Sequence, residues 1–428
     1  MDPYAALPLP QSAFVLGLCL LLVAPLAIAG VALINAGLGR SRSAAQSLLG
    51  SLVLVAVAII AFAIVGVAFG YGETGYTFSI AGKPWDWIGA GSFALSGFSA
   101  GTVQYQLATL FEFISVAFAV LIAWGSGADR FRILAGAAAA CILAAFVFPM
   151  LAYWVWGAGW LAQLGFNFTL GDGFLDPGGA STVHVLGGLS ALAVAWIAGP
   201  RKGKFPKEGL STAMPGHNAV YVLFGCLLAL VGWLAWNMAG ALMWADLPPT
   251  ELTVTAINTL LSASGAVAAT FTVTRVRFGK PDASLCANGW LAGLVTSSAC
   301  AAIVSPMQAL LAGMVAGLIT PLLVELLELF LSIDDPSGAI TVHAASGIWG
   351  LVAAGLFSSQ QGQFLAQLVG IAALLGLILP LVYLLFWLVN LVLPFRVDAD
   401  GERIGMDLHE LGGNAYPEFV VHRDDSYR

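Results

Sequence analysis

Two histidines occupy matching places in two near-identical stretches of this chain. Residues 176–184 read DPGGASTVH and residues 335–343 read DPSGAITVH, so seven of the nine positions are identical. Each stretch opens a long apolar segment and carries its histidine, His184 or His343, about two helical turns into it. An imidazole ring can donate, accept or relay a proton near neutral pH. Because ionisable side chains are costly inside hydrocarbon, two of them at matching places predict a functional site.

The residues before each histidine fit the beginning of a membrane helix. Asp176 and Asp335 are strong N-cap residues that answer the positive end of the helix dipole, and proline suits the first turn. The step from Asp to His is ~12 Å of helix, a little under half of a ~30 Å hydrocarbon core. We therefore predict two imidazole rings facing one another across a narrow pore near the midplane, one donating its N–H to the other. Burial disfavours the imidazolium, so both rings are expected to be neutral.

The composition requires a membrane environment for these segments. The chain has 428 residues, of which 59% are hydrophobic and 9% charged, whereas a soluble domain carries about 25% charged residues. The apolar runs are ~20 residues or longer, which predicts an all-α integral membrane protein rather than a β-barrel. Eleven transmembrane helices are expected, at residues 13–38, 44–70, 103–125, 131–157, 179–199, 217–245, 252–274, 284–304, 307–331, 337–357 and 364–393. A cleaved signal ending near Ala27-Ile28-Ala29 is the alternative for the first run, although no Lys or Arg precedes it.

The basic residues predict the orientation. Only Lys83 follows an even-numbered segment, and the others follow odd-numbered ones: Arg40, Arg42, Arg130, Arg132, Arg201, Lys202, Lys204, Lys207, Arg275, Arg277, Lys280, Arg396, Arg403, Arg423 and Arg428. The positive-inside rule then places the N-terminus outside and the C-terminus in the cytoplasm. Five spans per half give the two motifs opposite orientations, which is an inverted repeat. We expect repeats at about 13–199 and 217–357, a final helix at 364–393 that completes a membrane domain 1–393, and a cytoplasmic tail 394–428.

Other chemistry finds little support in the sequence. The five cysteines show no CxxC spacing, so neither a disulfide framework nor a metal site is implied, and we expect no cofactor, no catalytic residues and no nucleic-acid partner. A haem held by His184 and His343 as axial ligands is one alternative. The glycines beside both histidines argue against it, because they favour close helix packing over a wide slot.

Several motifs resemble those of the ammonium transporter family (Amt/Mep, related to Rh proteins), over about residues 12–419. The segment 175–188 carries the first histidine and 334–350 the second. Further similar stretches are 155–160 (VWGAGW), 215–218 (PGHN), 278–282 (FGKPD) and the tail motif from 405–408 (GMDL) to 415–419 (AYPEF).

The resemblance implies a homotrimer in the cell (inner) membrane with one pore in each multi-pass subunit. It implies that an outer aromatic cage, to which Trp156 belongs, holds NH4+ through cation–π contact. The cation then loses its proton near the entrance, and NH3 passes His184 and His343. Potassium has no proton to give up and is rejected. The tail is expected to make a regulatory contact with neighbouring subunits and with a PII-class signalling protein, or else to be a solvated terminus.

The chain departs from the family pattern around the outer entrance. Where two phenylalanines usually form a gate, the sequence positions fall on Ser115 and Trp236, and Trp236 is expected to fill the space that Ser115 vacates. Gly240 stands where a serine is common, and Glu112 where Gln is common. Glu112 is interpreted as an extra negative group at the entrance, or as a residue near the outer end of its helix that is partly hydrated or bonded to a neighbouring helix.

The two acidic caps are expected to differ in role. Asp335 is interpreted as a structural cap only, whereas the charge of Asp176 is expected also to favour a cation at the outer entrance. The altered gate leaves a second function open, an ammonium sensor of the same fold that transports weakly or not at all. The short segment after Pro394 favours transport, because it is too small for a signalling enzyme.

Overall fold

A computed structural model describes residues 10–70, 77–208, 211–245 and 247–417 of the chain. The Glu418-Phe419 end of the tail motif lies outside the described residues, as do Arg423 and Arg428. The membrane-length helices are α1 Gln11–Leu38, α2 Ser41–Gly70, α3 Val103–Ser126, α4 Ile133–Val155, α5 Ala180–Ala198, α6 Ala219–Trp244, α7 Leu252–Phe278, α8 Ala283–Cys300, α9 Pro306–Phe330, α10 Ile340–Phe357 and α11 Gln363–Val392. Shorter helices are Leu164–Phe168, Ala399–Ile404 and Asp407–Leu411. A two-stranded antiparallel hairpin, β1 Thr77–Ile80 and β2 Lys83–Asp86, stands between α2 and α3.

Within the described ranges, ten of these helices are long and apolar enough to cross a membrane. The expected segment 284–304 corresponds to α8, a helix of 18 residues that is not among the ten. It carries the buried polar residues Asn288, Thr296, Ser297 and Ser298, which lower its hydropathy. Inside the bundle, Thr296, Ser297 and Ser298 find hydrogen-bond partners on neighbouring helices.

Local sequence signals begin several of the helices. The Thr102 hydroxyl accepts from the backbone N–H of Tyr105 at the start of α3, and Asn218 does the same for Tyr221 at the start of α6. Asp282 caps α8 by accepting from the N–H of Leu285. Each cap satisfies one of the backbone donors that a helix start leaves unpaired, and in an apolar environment such a donor is expensive.

The two motif helices, α5 and α10, run in opposite directions. Asp334, just before α10, accepts from the backbone N–H of Arg201, just after α5, at 2.8 Å. Residues after Phe357 at the end of α10 line the same cavity as Asp176, just before α5. We call these two ends of the bundle the Asp334 side and the Asp176 side.

A glycine lets α5 and α10 pack closely beside the histidines. A Cβ atom on Gly188 would lie 2.3 Å from the backbone nitrogen of Ala344. Only a residue without a side chain permits that approach, which is how small residues serve membrane helices.

A buried charge cluster joins the loops on the Asp334 side. Arg201 pairs with Asp334 at 2.9 Å and with Asp129 at 3.1 Å, and Arg130 donates to the Asp334 carbonyl oxygen at 2.9 Å. Burial alone would raise the pKa of the Asp334 carboxyl, but the hydrogen bonds from Arg201 and the charge of Arg130 outweigh it and hold that pKa below its ordinary value. The cluster therefore stabilises the fold at neutral pH, and this contribution is lost as the pH falls through the depressed pKa.

Asp334→Asn should destabilise the folded protein by about 3–5 kcal/mol, because it leaves the Arg201 and Arg130 guanidinium groups buried without their main counter-charge. Thermal unfolding in detergent measures the loss. The matched control is Asp400→Asn, which breaks an exposed pair with Arg403 and should change stability by less than about 1 kcal/mol. Equal effects of the two substitutions would contradict a structural role for the cluster.

The tail packs on the starts of two membrane helices of its own chain. Asp407 accepts from the backbone N–H groups of Ala45 and Gln46 near the start of α2. Glu410 accepts from the backbone N–H of Ile133 at the start of α4 and from the Gln46 side chain. The described part of the tail is thus an ordered cap on the Asp334 side.

Candidate functional site

The two histidines of the repeated motif meet inside the bundle. Nδ1 of His184 lies 3.3 Å from Nδ1 of His343, and the rings are 28° from parallel with centroids 5.3 Å apart. Each residue lies in a widened, π-helical turn at the start of its helix, Ala180–Val185 or Ile340–Ala345. Such turns are frequent at functional sites. Both side chains are almost completely buried, at 0% and 3% exposure.

Two aromatic rings hold the pair in place. Trp233 stacks on the His184 ring at 4.9 Å and 17°. Phe118 sets its edge against His184 at 5.2 Å and against His343 at 6.3 Å. Sequence reasoning missed both residues, because an aromatic residue in an apolar helix gives no sign of whether it faces a site or a neighbouring helix.

A stacked aromatic pair connects the Phe118 ring, which contacts both histidines, with the Trp156 ring on the Asp176 side. The Phe111 and Trp236 rings are 4.4 Å apart and 25° from parallel, and both are fully buried. The indole N–H of Trp236 donates to the backbone carbonyl of Gly178 at 2.8 Å, which ties α6 to the DPGG segment. We call Phe111 and Trp236 the aromatic gate.

The gate differs from the arrangement expected from the sequence. Ser115 is buried one turn further along α3, and its hydroxyl donates to the Phe111 carbonyl at 2.8 Å. Trp236 therefore packs against Phe111 rather than only filling space beside Ser115. The period of the helix places residues four apart on one face, and this signal could have directed attention to Phe111.

Beyond the gate, two tryptophans line a cavity. The rings of Trp156 and Trp244 are stacked 5.4 Å apart and 6° from parallel, and Phe111 sets its edge against Trp156 at 5.3 Å. Both tryptophans line a cavity of about 570 Å3, together with Asp172, Phe174, Leu175, Asp176, Pro177 and residues of three further loops. Rings in contact thus lead from this cavity through Phe111 and Trp236 toward the histidines.

The Asp176 carboxylate is engaged by its own helix. Its Oδ1 accepts from the backbone N–H of Ala180 at 2.6 Å, and its Oδ2 accepts from the backbone N–H and the hydroxyl of Ser181. The backbone carbonyl of Asp176, and not its carboxylate, accepts a hydrogen bond from the indole N–H of Trp156 at 2.8 Å. Asp335 likewise accepts from its own helix, at the N–H of Ile340 at 2.7 Å.

The remaining two expected entrance residues are Gly240 and Glu112. A Cβ atom on Gly240 would lie 2.2 Å from the Pro177 carbonyl oxygen, so backbone fills the place of a side chain there. Glu112 is buried on α3 at 1% exposure. The Glu112 carboxylate faces the end of α2, because a Cβ atom on Gly70 would lie 3.4 Å from it. Among the described residues, no group of three or more His, Cys, Asp or Glu is placed to hold a metal ion.

Gly240→Ala should destabilise the protein by about 1–3 kcal/mol, because the added methyl group meets rigid backbone of the DPGG segment. The matched control is Gly376→Ala on α11, where a Cβ atom meets nothing within 4 Å and the helix should be unchanged or slightly more stable. Unfolding midpoints of the two variants give the comparison. A Gly240→Ala protein as stable as the control would show that the contact is loose.

The bundle of membrane-length helices around a buried histidine pair defines a multi-pass membrane protein. The sequence profile described as the Ammonium Transporter Family matches residues 14–416, and the chain belongs to that family. It is 32% identical to the ammonium transporter Amt2 of Archaeoglobus fulgidus, over 92% of this chain and 85% of that protein.

Solved structures share the fold. A protein named Sensor Amt Protein superposes with a TM-score of 0.84 at 24% identity, covering 93% of this chain and 98% of that one. Mep2 from Candida albicans gives a TM-score of 0.78 at 21% identity, covering 98% and 93%.

Proposed function

We propose that the protein conducts ammonia across the membrane after capturing NH4+ on the Asp176 side. The observation that carries the proposal is the buried contact between His184 and His343, reached from the Trp156 cavity through a row of aromatic rings. Tryptophan faces attract a cation, which gives the cavity a means of holding NH4+. The relative from Archaeoglobus fulgidus, named an ammonium transporter, supports the same substrate.

The charge must leave before the pore. A cation in the interior of a membrane protein is expensive, whereas a small neutral amine is not. NH4+ therefore gives up a proton to water in the cavity, and NH3 passes the aromatic gate and the histidines, while the proton crosses separately so that each transported ammonium carries one net charge. The two imidazoles supply hydrogen-bonding groups in an otherwise apolar path. Potassium has no proton to lose and stays in the cavity.

The orientation follows from the basic loops. Arg130, Arg201 and Arg396 belong to the Asp334 side, so the positive-inside rule makes that side cytoplasmic and the Asp176 side external. In this arrangement α8 also spans the membrane, shielded from lipid by its neighbours, which brings the number of spans to eleven. Helices α1–α5 and α6–α10 form the inverted repeats. We further propose a homotrimer in the cell (inner) membrane, with the cytoplasmic tail 394–428 as the surface for a PII-class partner.

Currents on a solid-supported membrane test the proposal. Purified protein in proteoliposomes should give a current with ammonium and methylammonium pulses and none with potassium. Expression should also restore growth on low ammonium to cells that lack their own ammonium transporters. Folded protein that gives neither current nor growth would contradict conduction.

An ammonium sensor with weak or no transport is the second candidate. The observation that favours it is the gate, which is closed by stacking and tied by a hydrogen bond from Trp236. Binding of ammonium to folded protein without any uptake would decide for the sensor. Binding together with uptake would decide for the transporter.

Trp156→Ala should weaken capture more than maximal flux. Loss of the indole face removes about 0.5–2 kcal/mol of cation–π attraction, so the half-saturating ammonium concentration should rise about 2- to 30-fold. The dependence of the current on ammonium concentration measures this. Trp156→Phe keeps an aromatic face and should give a smaller shift. An unaltered concentration dependence in the alanine variant would remove Trp156 from the capture site.

A further inference from the structure

A buried serine connects the histidine pair to a polar cluster between helices. Ser298 Oγ lies 3.4 Å from Nε2 of His184, 2.9 Å from Nε1 of Trp233 and 3.1 Å from Oδ1 of Asn237. All four residues are at most 2% exposed. Each polar hydrogen in this cluster must therefore find its acceptor within the protein, and the acceptors can be counted.

The orientation of the Asn237 amide follows from its other neighbours. Its Nδ2 lies 3.0 Å from Thr259 Oγ1 and 2.9 Å from Ser297 Oγ. Each of these hydroxyls donates its single hydrogen to a backbone carbonyl, that of Thr255 at 2.9 Å and that of Leu294 at 2.6 Å. Both hydroxyls can then only accept, and the two amide hydrogens of Asn237 supply them. If the amide were turned over, the hydroxyls of Thr259 and Ser297 would have to donate to it and would lose their hydrogen bonds to the backbone carbonyls. The Asn237 Oδ1 atom therefore faces Ser298.

Ser298 consequently has no hydrogen for the histidine. Its one hydroxyl hydrogen goes to Asn237 Oδ1, and the Leu294 carbonyl at 3.3 Å is a second acceptor for that same hydrogen. The indole N–H of Trp233 can only donate, and it uses one lone pair of Ser298 Oγ. The remaining lone pair faces His184.

These constraints determine where the protons of a neutral pair reside. His184 must donate to Ser298, so its proton is on Nε2 and its Nδ1 is bare. The Nδ1 atoms of His184 and His343 are 3.3 Å apart, and one of them has to carry the hydrogen between them. That hydrogen belongs to His343, whose Nε2 is then the bare nitrogen.

We propose that Trp233, Ser298 and Asn237 are positioning residues that hold the histidine pair in one tautomer order, Nε2–H on His184 and Nδ1–H on His343. The inference rests on the proposed function for its consequence. A passing ammonia molecule can donate a hydrogen bond to the pair only at Nε2 of His343. Both rings lie in the path, but only His343 acts as the acceptor.

Nitrogen NMR on the full-length protein tests the order directly. The protein is labelled with 15N-histidine, placed in lipid nanodiscs and studied through long-range proton–nitrogen couplings, which distinguish Nε2–H from Nδ1–H rings. The chain has five histidines, and His184→Gln and His343→Gln each remove one signal set for assignment. The expected wild-type result is Nε2–H for His184 and Nδ1–H for His343. The reverse order, or the same tautomer in both rings, overturns the proposal.

Substitution of the serine tests the cause. Ser298→Ala removes the acceptor, and His184 should then show both tautomers, whereas Ser298→Thr keeps a hydroxyl and should restore the wild-type pattern. Ser262→Ala is the matched control, because Ser262 is a buried serine whose hydroxyl donates to the Gly293 carbonyl at 2.7 Å. An unchanged His184 spectrum in Ser298→Ala rejects the positioning role.

Parallel uptake measurements separate this inference from the proposed function. The expected tautomer order in a protein that does not conduct leaves the positioning role standing and removes the transport proposal. A reversed order in a protein that does conduct removes the positioning role and leaves the transport proposal standing.

Discussion

Trp236→Phe should raise ammonium uptake by about twofold to tenfold. Phenylalanine keeps a ring to stack on Phe111 but has no N–H, so the bond to the Gly178 carbonyl is lost. Such a bond contributes about 0.5–1.5 kcal/mol, and its loss raises the population of open gates by a corresponding factor. The smaller ring also leaves more room for ammonia to pass.

Initial rates of labelled methylammonium uptake measure this effect at matched expression. Trp349→Phe is the control, because its indole also donates to a backbone carbonyl, that of Ala312 at 2.8 Å, but it lies outside the row of rings. It should leave uptake unchanged. A Trp236→Phe protein that folds and transports no faster than wild type would show that the indole bond does not restrict the path.

His184→Ala combined with His343→Ala should abolish proton-coupled ammonium current or open the path to potassium. The two rings are the polar groups at the narrow centre, and removing both leaves either an apolar plug or a space that water and ions enter. Because the rings act as one hydrogen-bonded unit, each single substitution should cost nearly as much as the double one. The loss of ammonium current should be about 100-fold or more.

Currents with ammonium and potassium on the same proteoliposomes distinguish the two outcomes. His409→Ala, in the tail, is the control and should retain both rate and selectivity. Gln at either histidine keeps part of the volume and some hydrogen bonding, so it should be less damaging than Ala. Unchanged flux and selectivity in the double variant would remove the histidines from the conduction path.

The repeated motif made the centre of the site predictable from the sequence. Two copies of one stretch with histidine at the same place imply two-fold related helices, and the capping residues imply where each helix begins. The depth of each histidine in the membrane is then set by helix geometry, which fixes the distance from the cap to the histidine. The meeting of His184 and His343 in the structure follows from that geometry.

The gate was harder to predict, because it depends on how far α6 is shifted along α3. Ser115 and Phe111 lie on the same face of α3, and only the depth of α6 decides which of them meets Trp236. Counting along a family pattern gives the position but not the depth. The backbone of Pro177 and Gly178, which takes up the space beside Gly240, is equally invisible in a pattern of side chains.

The polar cluster behind His184 could not be predicted for another reason. Serine, threonine and asparagine in membrane helices commonly bond to the backbone of their own helix, as Ser298 also does with Leu294. Whether such a side chain also bridges to another helix depends on contacts between residues far apart in the chain, such as Ser298 and His184.

The tail cap has a consequence for biosynthesis. Asp407 supplies acceptors near the start of α2 although it lies 361 residues beyond Gln46, and Glu410 accepts in the same way from the start of α4. A ribosome delivers these carboxylates only after every membrane helix has been made. The starts of α2 and α4 therefore lack these acceptors until the tail has been made, and the bundle reaches its final packing only after that point.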